Sequence, residues 1–136
     1  MRELHVSEIT EAVRRMAVEA NTELGQDVLD AFGRCRAAEE SPTGRDILDQ
    51  LTENARIARD EKMPLCQDTG FAVVFVDLGQ DVHLVGGGLQ EAVNEGVRRG
   101  YAEGYLRKSI VADPLRRKNT GDNTPAVVHV KVVPGE

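Results

Sequence analysis

Apolar positions follow a helical period in the first half of the chain and mostly a strand period in the second. Leu4, Val6, Ile9, Val13, Met16 and Ala17 form one stripe, predicting a first helix with Ser7 at its start and Glu8 and Glu11 in its first turn. Gly25 breaks the pattern. A second helix is expected from Asp27, with Val28, Leu29, Phe32 and Cys35 on one side, so that Cys35 reads as a small core residue. Pro42 is tolerated in the first turn of a third helix, whose stripe is Ile47, Leu48, Leu51, Ala55 and Ala58. Arg56, Arg59, Asp60, Glu61 and Lys62 form its wet side, and Pro64 cannot continue it.

Beyond Pro64 the pattern changes. Phe71-Ala72-Val73-Val74-Phe75-Val76 is apolar at both parities and predicts a strand buried on both faces. After a turn at residues 77–81, Val82 to Val85 is expected to return as an antiparallel strand. Gly86-Gly87-Gly88 opens a fourth helix, Leu89 to Lys108; it lacks the Gly-Lys-Ser/Thr of a phosphate loop and the dinucleotide spacing, and reads as flexible entry. Two stripes run along this helix: Leu89, Val93, Val97, Tyr101 and Tyr105, and beside them Ala92, Gly96, Gly100 and Gly104. Each glycine weakens a helix by about 0.8–1 kcal/mol relative to alanine, so three in line imply a backbone pressed closely by a neighbour. Residues 116–125 are too polar and too rich in turn formers for regular structure. Ala126 to Val133 is a last strand, with Ala126, Val128, Val130 and Val132 on its drier face and His129 on its wetter one. The expected class is α+β: a helical N-terminal half, residues 1–62, and a second part, residues 63–136, in which a mostly antiparallel sheet packs with the glycine-striped helix.

At 136 residues, with 40% hydrophobic and 29% charged residues, the chain has the make-up of a soluble domain with one core. It holds no apolar run long enough to span a membrane and no signal peptide at its start. Two distant cysteines make no disulfide framework, so a cytoplasmic setting is expected. A net charge of −6 argues against nucleic acid as partner. The basic residues Arg107, Lys108, Arg116, Arg117 and Lys118 are nevertheless clustered, and such a cluster can receive a small anion or simply be a solvated helix end.

The candidate chemistry lies where the two patterns meet. Met63-Pro64-Leu65-Cys66-Gln67-Asp68-Thr69-Gly70 sets a thiol, an amide and a carboxylate side by side on a turn ahead of an apolar strand. Cys66 could be a nucleophile, a metal ligand or a small buried residue. Neither His83 nor His129 is placed by sequence as its base, zinc-ligand spacing is absent, and an iron–sulfur cubane needs at least three cysteines. On the residues alone a small buried residue is narrowly the better reading.

The string from Pro64 to Gly70 resembles the signature of the iron–sulfur hydro-lyases, the class I fumarate hydratases and the L-tartrate dehydratase alpha subunits. The likeness continues through residues 73–80, 91–97 and 100–109, then Asp113-Pro114-Leu115 and Asn119-Thr120-Gly121-Asp122-Asn123-Thr124-Pro125-Ala126, with the later blocks on the fumarase side. The resemblance implies reversible hydration of fumarate to L-malate at a 4Fe–4S cluster whose open iron polarises the substrate hydroxyl. It implies that Cys66 is one cluster ligand, that Gln67 and Asp68 contact substrate with Asp68 as acid, and that Arg107 pairs with a substrate carboxylate. The other two cysteines and the base would lie beyond this chain, which then represents an N-terminal part of the alpha region, inactive alone. It would work in an oligomer with the rest of the alpha subunit and a beta subunit or region, and with neither nucleic acid nor membrane. A dehydratase for tartrate or another hydroxy-dicarboxylate is the neighbouring reading. A non-catalytic assembly domain, with Cys66 a buried thiol, is the distant one.

Overall fold

In the computed structural model, which describes residues 1–136, the chain runs β1 (Arg2–His5), α1 (Val6–Thr22), α2 (Gln26–Ala38), α3 (Pro42–Glu61), β2 (Val73–Gly79), β3 (Val82–Val85), α4 (Leu89–Glu103) and β4 (Val127–Val133). It divides into two compact units. The first comprises Met1–Val18 with Asp68–Glu136, and the second Glu19–Gln67. The α+β class holds, and no helix is long and apolar enough to cross a membrane.

The first unit is built on the contact of α1 with α4. A Cβ on Gly96 would lie 2.6 Å from the Thr10 carbonyl oxygen, and one on Gly100 would lie 2.8 Å from that of Arg14. The glycine stripe thus lets two helix backbones touch, as its spacing predicts. The adjacent stripe supplies the core, in which Val93, Val97 and Tyr101 pack with Val13, Leu106 and Ala126. The Thr10 hydroxyl donates to the Ala92 carbonyl at 3.0 Å, satisfying a polar group inside the contact.

The strands differ from expectation in three ways. First, residues 2–5 form β1 rather than the start of a helix, and Ser7 bonds the His5 ring instead of capping. Second, both ladders are parallel, not antiparallel: β1 with β3, in register Arg2 to Val82, and β2 with β4, Val73 to Val127. The turn after β2 gives its N–H groups away from β3. Gln80 donates to the Val133 carbonyl at 2.8 Å and Asp81 to that of Gly135 at 3.0 Å. β2 and β3 close no hairpin: β2 pairs with β4 and β3 with β1. Third, β2 is not buried on both faces. Ala72, Val74 and Val128 pack on the core, whereas Phe75 is 78% exposed on the opposite face and stacks on His129. Along β4, Val130 and Val132 are also exposed, against the expectation of a dry face.

α4 stops at Glu103 rather than Lys108. The Leu106 N–H returns to the Tyr101 carbonyl at 3.0 Å and the Tyr105 N–H to that of Ala102, with Tyr105 at φ +54°. This is a Schellman end whose left-handed position is filled by a tyrosine instead of the usual glycine. Leu106 folds back into the core, and Tyr105 is exposed rather than part of the apolar stripe.

In the second unit α3 begins at the Ser41 cap, whose hydroxyl accepts from the Gly44 N–H, and ends at Lys62 in the left-handed region. Its buried Ala55 and Ala58 meet Leu65, with Leu24 and Leu29 alongside. α2 buries no residue, so Cys35 is exposed and not a core thiol. Its apolar side lines an open hollow shared with Thr52 and Ala55 of α3 instead of closing one.

Candidate active site

The central loop is fixed residue by residue. Leu65 is its anchor: the side chain is buried and its N–H donates to the Asn21 carbonyl at 2.8 Å. Gln67 N–H then reaches back to the Leu65 carbonyl at 2.7 Å, a three-residue turn with Cys66 at its tip. The Cys66 N–H is taken by the Asn54 side chain of α3 at 3.1 Å. These bonds use only backbone of the turn, leaving the Cys66 thiol exposed and the Gln67 side chain free in the solvent.

The boundary between the units falls after Gln67, and Asp68 opens the return into the first unit. The Asp68 carboxylate accepts from the Gly70 N–H at 3.0 Å and from the Ser109 hydroxyl at 3.3 Å. The Gly70 N–H, then the Ser109 hydroxyl and the positive charge of Arg107, hold its carboxyl below the usual range against the opposing effect of burial. Asp68 is therefore an anion at neutral pH. Thr69 is held at both ends: its hydroxyl donates to the Arg107 carbonyl at 2.8 Å, and its own carbonyl accepts from the Tyr101 hydroxyl at 2.8 Å. Burial pushes the Tyr101 hydroxyl's pKa up, so it stays a donor.

Arg107 does not sit on the helix dipole, because α4 ends before it. It lies in the following loop, exposed, with its backbone bonded to Thr69 and its guanidinium in no ion pair. The structure thus brings Asp68 and Arg107 together through two loops of one unit. Cys66 and Gln67 belong to the other unit.

Several residues that complete this arrangement were not singled out by sequence reading. Ser109 bonds Asp68, Tyr101 reads as a core aromatic yet holds Thr69, and Asn119 ties the Lys108 carbonyl at 2.7 Å. Asn123 is fully buried at φ +60° inside a stretch that reads as a polar surface loop. Besides its place in the family-like block 119–126, the sequence signal for it is an asparagine's tolerance of the left-handed region. Asp122 accepts from Thr124 and from Arg98 of α4, anchoring that stretch to the helix.

No three His, Cys, Asp or Glu side chains come together as a group able to hold a metal. An exposed thiol at the tip of a rigid turn fits one corner of a 4Fe–4S cluster; the residues of this chain do not make a whole cage.

An anionic carboxylate with an arginine free of ion pairs on the adjoining loop is an arrangement suited to acid–base chemistry on a small acid. Residues 10–136 match the family model described as fumarate hydratase (Fumerase), and the chain belongs to that hydro-lyase family. Among its relatives are a putative L(+)-tartrate dehydratase subunit alpha from Methanocaldococcus jannaschii and the L(+)-tartrate dehydratase subunit alpha of Escherichia coli. Each is 32% identical over 88% of this chain, covering 43% and 39% of the relative. The anaerobic class I fumarate hydratase of E. coli is 37% identical over 72% of the chain and 18% of the relative. The chain spans less than half the length of these proteins.

Proposed function

We propose that this chain is the part of a 4Fe–4S hydro-lyase that supplies one cluster cysteine, Cys66, and part of the pocket in which fumarate and L-malate are interconverted. It works with the remaining alpha region and a beta subunit or region. The observation that carries this reading is Arg107: a guanidinium without a partner, on a loop bonded to the loop of an ionised Asp68. An unpaired arginine beside a carboxylate leaves its planar fork open to a substrate carboxylate. Gln67 contributes amide hydrogen bonds to the same substrate. In hydration the Asp68 carboxylate accepts a proton from the adding water while a second acid–base group outside this chain delivers a proton to the neighbouring carbon; dehydration runs both transfers in reverse, with Asp68 protonated.

The tartrate reading rests on the two alpha-subunit relatives, whose likeness covers more of this chain than that of the fumarate hydratase. Anaerobic assay of the full-length complex with fumarate, L-malate, L(+)-tartrate and mesaconate separates the two. Absence of turnover with all four would favour the assembly domain.

Arg107→Lys in the intact enzyme is the sharper test. Lysine keeps the charge but loses the fork. Losing a charge-assisted contact of about 1.5–3 kcal/mol lowers kcat/KM by about ten- to more than a hundredfold. Stability should hardly change, because the exposed guanidinium forms no ion pair or hydrogen bond. Equal efficiency in the two proteins would remove Arg107 from the pocket.

A further inference from the structure

We infer that Asn123 is a positioning residue for this site: its buried amide fixes the loop of Asp68 against the loop of Arg107. The inference rests on the functional reading above for what the two loops do, and on geometry for how they are held. The Asn123 amide oxygen accepts from the Ser109 N–H at 2.7 Å and the Ile110 N–H at 3.0 Å. Its amide nitrogen donates to the Gly70 carbonyl at 3.1 Å. These three partners are main-chain groups, one lying two residues past Asp68 and the others two and three past Arg107, and the amide also meets the Tyr101 hydroxyl. The side chain therefore acts as a short rung of ladder between two loops that share no strand pairing.

Only an asparagine suits the position. Its backbone stands at φ +60°, which asparagine tolerates and most residues avoid. It is 0% exposed, so water cannot replace any bond that is lost. An aspartate would keep the two acceptor bonds but present an oxygen to the Gly70 carbonyl. A glycine would keep the backbone conformation and remove all three bonds.

Those two variants test the assignment in the intact enzyme. Above the pKa of the buried carboxyl, Asn123→Asp keeps the acceptor bonds and turns the bond on the Asp68 side into a repulsion between two oxygens. Its kcat is expected to fall by about ten- to a hundredfold, the penalty of a slightly misplaced reacting group, with KM close to wild type. Asn123→Gly also frees the Arg107 loop, so KM for the dicarboxylate should rise as well. Amide hydrogen exchange on the same proteins gives a readout without activity. Ser109 and Ile110 should lose protection in Asn123→Gly and keep it in Asn123→Asp, while Val93 and Val97 of α4 stay protected in both. A merely structural role would instead loosen α4 and lower kcat only in proportion to the folded fraction. That result, or wild-type exchange at Ser109 and Ile110 in Asn123→Gly, overturns the inference. If wild-type enzyme turns over none of the dicarboxylates, the functional reading fails, and exchange at residues 70, 109 and 110 still decides whether Asn123 holds the loops.

Discussion

The two units of this chain are stabilised by different means. In the first, α1 and α4 touch backbone to backbone, Val93 and Val97 are fully buried, and the loops are pinned by buried side chains such as Asn123. In the second, three buried residues, Ala55, Ala58 and Leu65, form the core, and α2 buries none. What ties its surface is exposed charge: Arg36 with Asp49, Arg56 with Glu53 and Asp60, and Lys62 with Glu23. Close packing resists change at the scale of one methyl group, whereas exposed ion pairs add little and are screened by salt. Asp68 and Arg107 belong to the well-packed unit; Cys66 and Gln67 belong to the lightly packed one.

The contrast breaks most visibly at Gly100. Replacing it with leucine improves helix propensity by at most about 1 kcal/mol, but the new side chain must enter a space closed by the Arg14 carbonyl and the Ala17 Cβ. Overpacking of about 1–3 kcal/mol or more should outweigh the gain and lower the Tm. An unchanged or raised Tm would mean that α1 and α4 do not press together.

Gly33, on α2, is the counterpart with the opposite sign. A Cβ there would meet nothing within 4 Å. Gly33→Ala should therefore stabilise α2 by about 0.8–1 kcal/mol, seen as slower amide exchange along that helix. A loss of stability would show that α2 is packed more tightly than its exposure indicates.

The smallest effect expected is a response to acid. Glu23, Asp49 and Glu53 are held below their ordinary pKa by hydrogen bonds to Lys62, Arg36 and Arg56 respectively. A carboxyl with a depressed folded pKa stabilises the fold above its unfolded value, and this contribution is lost as pH falls through the folded value. Glu95 on α4 is held down in the same way, by Arg99 and Arg98, so below about pH 4.5, the ordinary glutamate value, both units lose ion pairs, and α2 and the end of α3, with less buried core beneath them, should lose exchange protection before α4 does. Equal loss in the two units would erase the distinction between them.

The same division explains how much of the molecule is legible in its sequence. Helix stripes are local, so α3 with Pro42 in its first turn, and the purpose of Gly96 and Gly100, follow from spacing alone. The family signature around Cys66 is likewise contiguous. Strand partners are not local: nothing in Val82 to Val85 reveals that it pairs with residues 2–5. Cys35 sits on an apolar stripe, but a stripe shows only which side is drier, not whether anything covers it. The early end of α4 was hidden because its left-handed residue is Tyr105, where sequence reading looks for glycine. Asn123 was hidden because its three partners lie in two other segments, and its neighbours are as polar as those of any surface loop.

The Schellman end of α4 has a consequence for how the chain tolerates changes in length. Because Gly96 and Gly100 are locked against α1, the helix works as a ruler that starts in the core and measures out to the loop of Arg107. One residue inserted between Gly100 and Glu103 would turn everything after it by about 100° and advance it by about 1.5 Å. Leu106 would leave its place in the core, and Arg107 would swing away from Thr69. The polar loop at residues 114–118, which has no such rod behind it, can absorb an added residue without moving the helix. Insertions and deletions compatible with the fold are therefore expected in that loop and excluded from the last turn of α4.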